Sequence, residues 1–224
     1  MHVSRQSSRV PRAPWVLPLV AVAAALCLAA CAPRHYNTDV AVPSRPAAVP
    51  GGPATSGPRI AVQRLTVTAP KAGDVLTGVV AYTAAFGGIP SRPAAANVYH
   101  AGADLEPLVR NALAPSVLET ADSPYLMQVT LDSRFSEPRH ADIWGFEEVI
   151  INTTRLSVTV LEGDAEVFAD TYEATAEDTY SLYLHTFPPP EIYSGMLQSA
   201  VAEAVQKMVS DPELQRFRAA GRKT

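Results

Sequence analysis

Cysteine is nearly absent from this chain. Of 224 residues only Cys27 and Cys31 carry a thiol. Whatever folds beyond them therefore has no disulfide, no thiolate nucleophile and no cysteine-based zinc cluster. A basic excess is missing too, since the formal net charge is -4. Arg5, Arg9 and Arg12 are the only cations among the first thirty residues; setting those three aside from 18 leaves 15 against 22 acids, close to -7. That sign argues against nucleic acid as a partner and against a polybasic grip on anionic lipid. No Gly-x-Ser-x-Gly elbow, no His-x-x-x-His pair and no glycine-rich loop in a strand-turn-helix context occurs, which removes the usual sequence marks of serine hydrolases, helical zinc sites and phosphate cradles. No twin arginine precedes the apolar run near the start, so export in the unfolded state is the expectation.

What is present begins with that run. Trp15 to Ala30 is mostly apolar, about sixteen residues, and Pro18 interrupts it; spanning a bilayer takes roughly 20. A basic start, a short apolar centre and small residues at its end describe a secretory signal peptide. The ending Leu28-Ala29-Ala30-Cys31 resembles the lipobox of bacterial lipoproteins. The resemblance implies cleavage between Ala30 and Cys31, and a diacylglycerol and N-acyl lipid on Cys31 as the sole covalent additions. With Ala32 rather than aspartate after the cysteine, it also implies the outer membrane. An uncleaved anchor and a secreted protein cut at an Ala-x-Ala-like site are the alternative readings.

Residues 31 to 58 carry six prolines and three glycines among small side chains, with no apolar period. Such a composition cannot bury enough surface to fold and reads as a tether reaching on the order of 50 Å. Ile60 to Val67 is β-branched and bounded by prolines, so it predicts a strand. Val75 to Thr83 reads as a second strand or a long connection, and Gly87, Gly88, Pro90 and Pro93 mark a loop. Asp104 offers a helix cap, followed by Leu105, Leu108, Val109, Ala112 and Leu113 on one face. Tyr125, Met127, Val129 and Leu131 alternate with polar residues, as do Leu156, Val158 and Val160; Glu162-Gly163-Asp164 turns the second run back into a hairpin. Met196, Leu197, Ala200, Val201, Ala204, Val205 and Met208 line an amphipathic helix that stops at Asp211-Pro212. The order predicts an α+β domain over residues 59–211: a two-layer sandwich of a mostly antiparallel sheet of about four strands, with two helices on one face. A basic tail, 212–224, would follow.

Candidate chemistry is sparse. His100, His140 and His185 sit on separate loops without acidic partners at ligand spacing, so no metal site is expected. Ser133, His140 and Asp142 are near one another in sequence, which is not a triad geometry. Glu147 and Glu148 would point to opposite faces of a strand. Asn152-Thr153-Thr154 matches a glycosylation sequon by chance. An enzyme is not expected. Large aromatics in loops are the remaining signal: Trp144 and Phe146, then Tyr180, Tyr183 and Phe187 ahead of Pro188-Pro189-Pro190. They read either as a partner-binding surface or as a cap folded over the sheet.

Taken together, the lipobox, the tether, a helix followed by Ser123-Pro-Tyr-Leu-Met-Gln-Val-Thr-Leu131, a long hairpin and a final amphipathic helix resemble small envelope lipoproteins. The YajG-like group and the amino-terminal module of curli-assembly lipoproteins share this order of elements over roughly residues 60 to 211. The Trp144 loop and the three prolines depart from it. The resemblance implies a non-catalytic, periplasm-facing accessory or scaffold subunit with an envelope protein partner. A small-ligand or lipid-binding module is the alternative.

Overall fold

A computed structural model describes residues 34–45, 59–84, 90–141 and 146–218, the side chains of 82–94 excepted. Ala30, Cys31 and Trp144 lie outside the described residues. Among the described residues helices and strands mix, and the strands fall into three sheets.

The largest sheet grows from the alternating segments. Strand β7 (Tyr125–Phe135) buries Met127, Val129 and Leu131; β9 (Glu147–Glu162) buries Ile150, Leu156, Val158 and Val160. Period-2 burial puts these side chains on one face. The partner of β9 is β10 (Ala165–Ser181), which returns through Gly163. That glycine sits at φ +61°, a left-handed backbone that glycine adopts without steric cost. Sheet order is β10-β9-β7-β3, where β3 (Arg64–Thr68) runs parallel to β7 and the other pairs are antiparallel; the two-residue β8 (Arg139–His140) adds onto β9.

Two further sheets go beyond the expected single sheet of about four strands. One is β1-β5-β4, built from Arg34–Val40, Pro90–Ala101 and Val75–Ala84. Its first strand lies in the stretch read as tether, and β5 begins in the segment read as loop. Neither is rich in large apolar residues, so neither shows the alternation from which a strand is read. A parallel neighbour supplies what side chains do not, because β1 pairs with β5 from Arg34↔Ala95 to Val40↔Ala101. The other sheet is the short parallel pair of β2 (Ile60–Val62) and β6 (Val117–Glu119).

Helix α1 (Glu106–Leu113) buries Leu108, Val109 and Leu113. Asp104 does not cap it; Leu105 holds the cap position without a side-chain bond, and the Asp104 carboxylate instead accepts from the Ala72 N–H at 2.9 Å. Helix α2 (Pro190–Ser210) packs on β9, β10, α1 and β1. Nine of its residues are buried, from Tyr193 to Met208. Fully burying a leucine such as Leu197 contributes about 2 kcal/mol. Pro190 opens the helix, where a missing N–H leaves nothing unsatisfied. Asp211 ends it and caps α3 (Pro212–Gln215), accepting from the Glu213 N–H at 2.7 Å and from the Tyr172 hydroxyl at 2.6 Å. These bonds, the Tyr172 one foremost, hold the Asp211 carboxyl below its usual range. The expected basic tail thus begins as a packed helix, and Phe217 sits edge-on to Tyr125.

The attachment of β1 can be tested at Gly102. Its N–H donates to the Val40 carbonyl at 2.9 Å, and a Cβ there would lie 2.7 Å from the same oxygen. Gly102→Ala is expected to push the end of β1 away and cost about 2 kcal/mol in urea unfolding. Amide exchange should quicken over 34–40 first. Unchanged protection there would show that β1 is held by other contacts.

Candidate interaction site

The long hairpin has two ends. One is the Gly163 turn; the other opens where β9 starts and β10 finishes, and the predicted aromatics gather there. Register explains why. Glu148 pairs directly with Tyr180, and Glu147 with Ser181. The Leu182 N–H donates to the Phe146 carbonyl at 2.8 Å, tying the two departing chains together.

Phe146 and Tyr183 stack with ring centroids 4.3 Å apart and planes 22° from parallel. Tyr183 and its neighbour Leu184 are strongly exposed. Phe187 is half-buried and meets Tyr36 of β1 edge-on at 6.0 Å. Tyr180 differs: alternation along β10 turns it into the core, where its hydroxyl donates to the Glu148 carboxylate. Its ring therefore presents no outer surface. Of the four predicted aromatics among the described residues, Phe146 and Tyr183 form an exposed pair, Phe187 joins the lip to β1, and Tyr180 belongs to the floor.

That floor is a buried tyrosine cluster. Tyr99 and Tyr193 lie 4.4 Å apart, and Phe135 stands edge-on to Tyr193 at 5.0 Å. The Tyr99 hydroxyl donates to the Pro188 carbonyl at 2.7 Å, which fixes the proline run over the sheet. The fully buried Tyr193 hydroxyl finds no hydrogen-bond partner. Burial pushes the Tyr99 phenol up to about 12. Tyr180 and Tyr193 are raised further, first by burial; the Glu148 carboxylate adds to both, and Tyr99 to Tyr193.

His140 Nδ1 stands 3.6 Å from Glu148 at the exposed rim. Ser133 is elsewhere. Its partner on β9 is Thr154, six residues from Glu148, which is on the order of 20 Å along the strand. Ser133 and His140 are therefore not brought together, and Asp142 lies outside the described residues. The His100 ring hydrogen-bonds the Gly73 carbonyl at 3.0 Å, and His185 is exposed. Among the described residues no group of three or more His, Cys, Asp or Glu is placed to hold a metal ion. None of their helices is long and apolar enough to cross a membrane. Asn152 is fully buried, so a glycan cannot occupy it in the folded chain.

Sequence reasoning missed Leu184, Tyr36 and the Tyr99–Tyr193–Glu148 cluster. Leu184 carried a signal, as an apolar residue in a polar, proline-ended stretch. The cluster needed strand register.

No protein-family model matches the chain, and no curated protein does. Solved structures similar to it include a Xanthomonas campestris protein of family-model DUF330, 12% identical with a TM-score of 0.40, covering 77% of this chain and 92% of that one. A minor lipoprotein from Acinetobacter baumannii is 11% identical with a TM-score of 0.36, covering 69% and 92%. The rare lipoprotein B from Shewanella oneidensis is 15% identical with a TM-score of 0.32, covering 48% and 86%.

Proposed function

We propose that the chain is a bacterial envelope lipoprotein, anchored to the outer membrane through lipid on Cys31, with its domain facing the periplasm. The observation that carries this reading is Leu28-Ala29-Ala30-Cys31 at the end of a short apolar run with a basic start. Its role is a non-catalytic accessory or scaffold subunit for a protein partner in envelope assembly or maintenance. The stacked Phe146–Tyr183 pair beside exposed Leu184 supports an interaction role, because solvent-facing aromatics in loops are the residues that contacts use. The acidic balance supports a partner other than nucleic acid. No cofactor is needed for such a role.

Cys31→Ser is expected to abolish membrane retention and function together. Fractionation of cells making the full chain checks the first, and an envelope-integrity assay the second. A soluble variant with full activity would overturn the anchor's role. In-cell crosslinking and affinity purification of the lipidated protein should yield a stoichiometric envelope partner. A preparation without one would move the reading to small-ligand or lipid binding.

A further inference from the structure

The expected tether would hold the domain well clear of the membrane. Strand β1 removes that freedom. Arg34 is already hydrogen-bonded in register with β5, and Cys31 lies only three residues before it. Three peptide steps span at most about 11 Å between Cα atoms. A lipid on Cys31 therefore brings this corner of the domain against the headgroups.

The corner is the one that carries the lip. Tyr36, two residues into β1, meets Phe187 at 6.0 Å, and Phe187 follows Leu184 by three residues. Tyr183 is 71% exposed and Leu184 77%, the two most exposed large hydrophobic residues of the described chain. Phe146 stacks on Tyr183 and is itself 39% exposed. A tyrosine, a leucine and a phenylalanine at one protruding edge suit the interface of a bilayer, where an amphipathic ring keeps its hydroxyl among headgroups and aliphatic groups enter the acyl boundary. Charge on the strand ends here is of both signs, since Glu147 follows Phe146 and Arg139 pairs with Val149 two residues further along β9. Contact thus depends on apolar insertion rather than net charge.

We propose that Phe146, Tyr183 and Leu184 form a membrane-resting edge that inserts into the leaflet holding the Cys31 acyl chains. The edge sets the orientation of the domain on that membrane. This inference rests on the lipoprotein reading above. The lipid supplies the affinity, and the edge supplies a fixed tilt.

The test uses the acylated full-length protein in vesicles of phosphatidylethanolamine and phosphatidylglycerol. The processed chain has no thiol besides the acylated one, so Leu184→Cys takes a single environment-sensitive fluorophore. Asp164→Cys, at the exposed hairpin turn, is the comparison site. Emission at 184 is expected to rise at least three-fold on incorporation, at low and high salt alike, and to be quenched by spin-labelled lipid. Emission at 164 should not change. Equal responses at the two sites in acylated protein that floats with the vesicles would overturn the edge and leave the lipoprotein reading intact, assigning the patch to a protein partner. Mass spectra without acyl chains on Cys31 would overturn both.

Discussion

Between pH 10 and 12 the domain is expected to lose stability at about 4 kcal/mol per pH unit. The cause is its buried phenols. Tyr99, Tyr172, Tyr180 and Tyr193 are all raised, Tyr99 to about 12 and the others beyond the ordinary phenol range, with burial as the leading cause in each. In the unfolded chain each would ionise near pH 10. Above that value the unfolded chain has released protons that the folded chain still holds, so stability falls as pH rises. Each such tyrosine contributes about 1.4 kcal/mol per pH unit. The figure of 4 counts three of them; Tyr172 is discounted because its hydroxyl end reaches the half-buried Asp211 near the surface. A domain with about 8 kcal/mol of stability at neutral pH would be unfolded near pH 12. Urea unfolding followed by near-ultraviolet circular dichroism gives the slope, and the part of the phenolate absorbance that comes from the buried rings should rise in one step with loss of structure. Tyr193→Phe sharpens the test. It removes a buried hydroxyl without a partner, so it should raise stability at pH 7 by about 1 kcal/mol and lower the alkaline slope by about a third. Gradual titration of that part ahead of unfolding would show that the buried rings reach solvent in the folded state.

The same tyrosines show what a sequence can and cannot disclose. Met127, Val129 and Leu131 announced β7, and Leu156, Val158 and Val160 announced β9, because each faces water on one side and the core on the other. Helix α2 was legible for the equivalent reason at a different period. Strands β1 and β5 were not. Their residues include Arg34, His35, Asn37, Pro90, Pro93 and a run of alanines, and their place is set by pairing, which leaves no trace in composition. Hence residues 31–58 read wholly as tether, while part of them is structure. The site divides along the same line. Phe146 and Tyr183 stood out as large rings in loops, and they do meet. That Tyr180 turns inward to Glu148, and that Tyr99 lies against Tyr193 from ninety-four residues away, follows from register and from the crossing of α2 over the second sheet.

Asn152→Ala is expected to cost about 3 kcal/mol, an unusual sum for a polar residue on a sheet. Asn152 and Thr154 are fully buried on the core face of β9, and Ser133 faces them from β7. Three bonds close a ring. The Asn152 amide donates to Ser133 Oγ at 2.8 Å, the Thr154 hydroxyl donates to Asn152 Oδ1 at 2.7 Å, and 3.1 Å separates Ser133 Oγ from Thr154 Oγ1. With Thr154 committed as donor to Asn152, Ser133 must donate to Thr154, so every proton in the ring has one acceptor. Removing the amide breaks three bonds, the third from its nitrogen to the Arg134 carbonyl at 3.4 Å, and leaves the buried threonine hydroxyl with Ser133 as its one partner in the ring. Removing every polar member at once strands nothing. The triple variant Ser133→Ala, Asn152→Leu, Thr154→Val should therefore fall within about 1 kcal/mol of the parent, although its single steps sum to far more. Urea midpoints of the singles and the triple decide the matter. If the triple loses as much as the singles combined, the ring does not act as a unit. If it holds, the domain carries a polar knot whose value lies in fixing the β7–β9 register beneath α2, on the strand whose other edge pairs Glu148 with Tyr180.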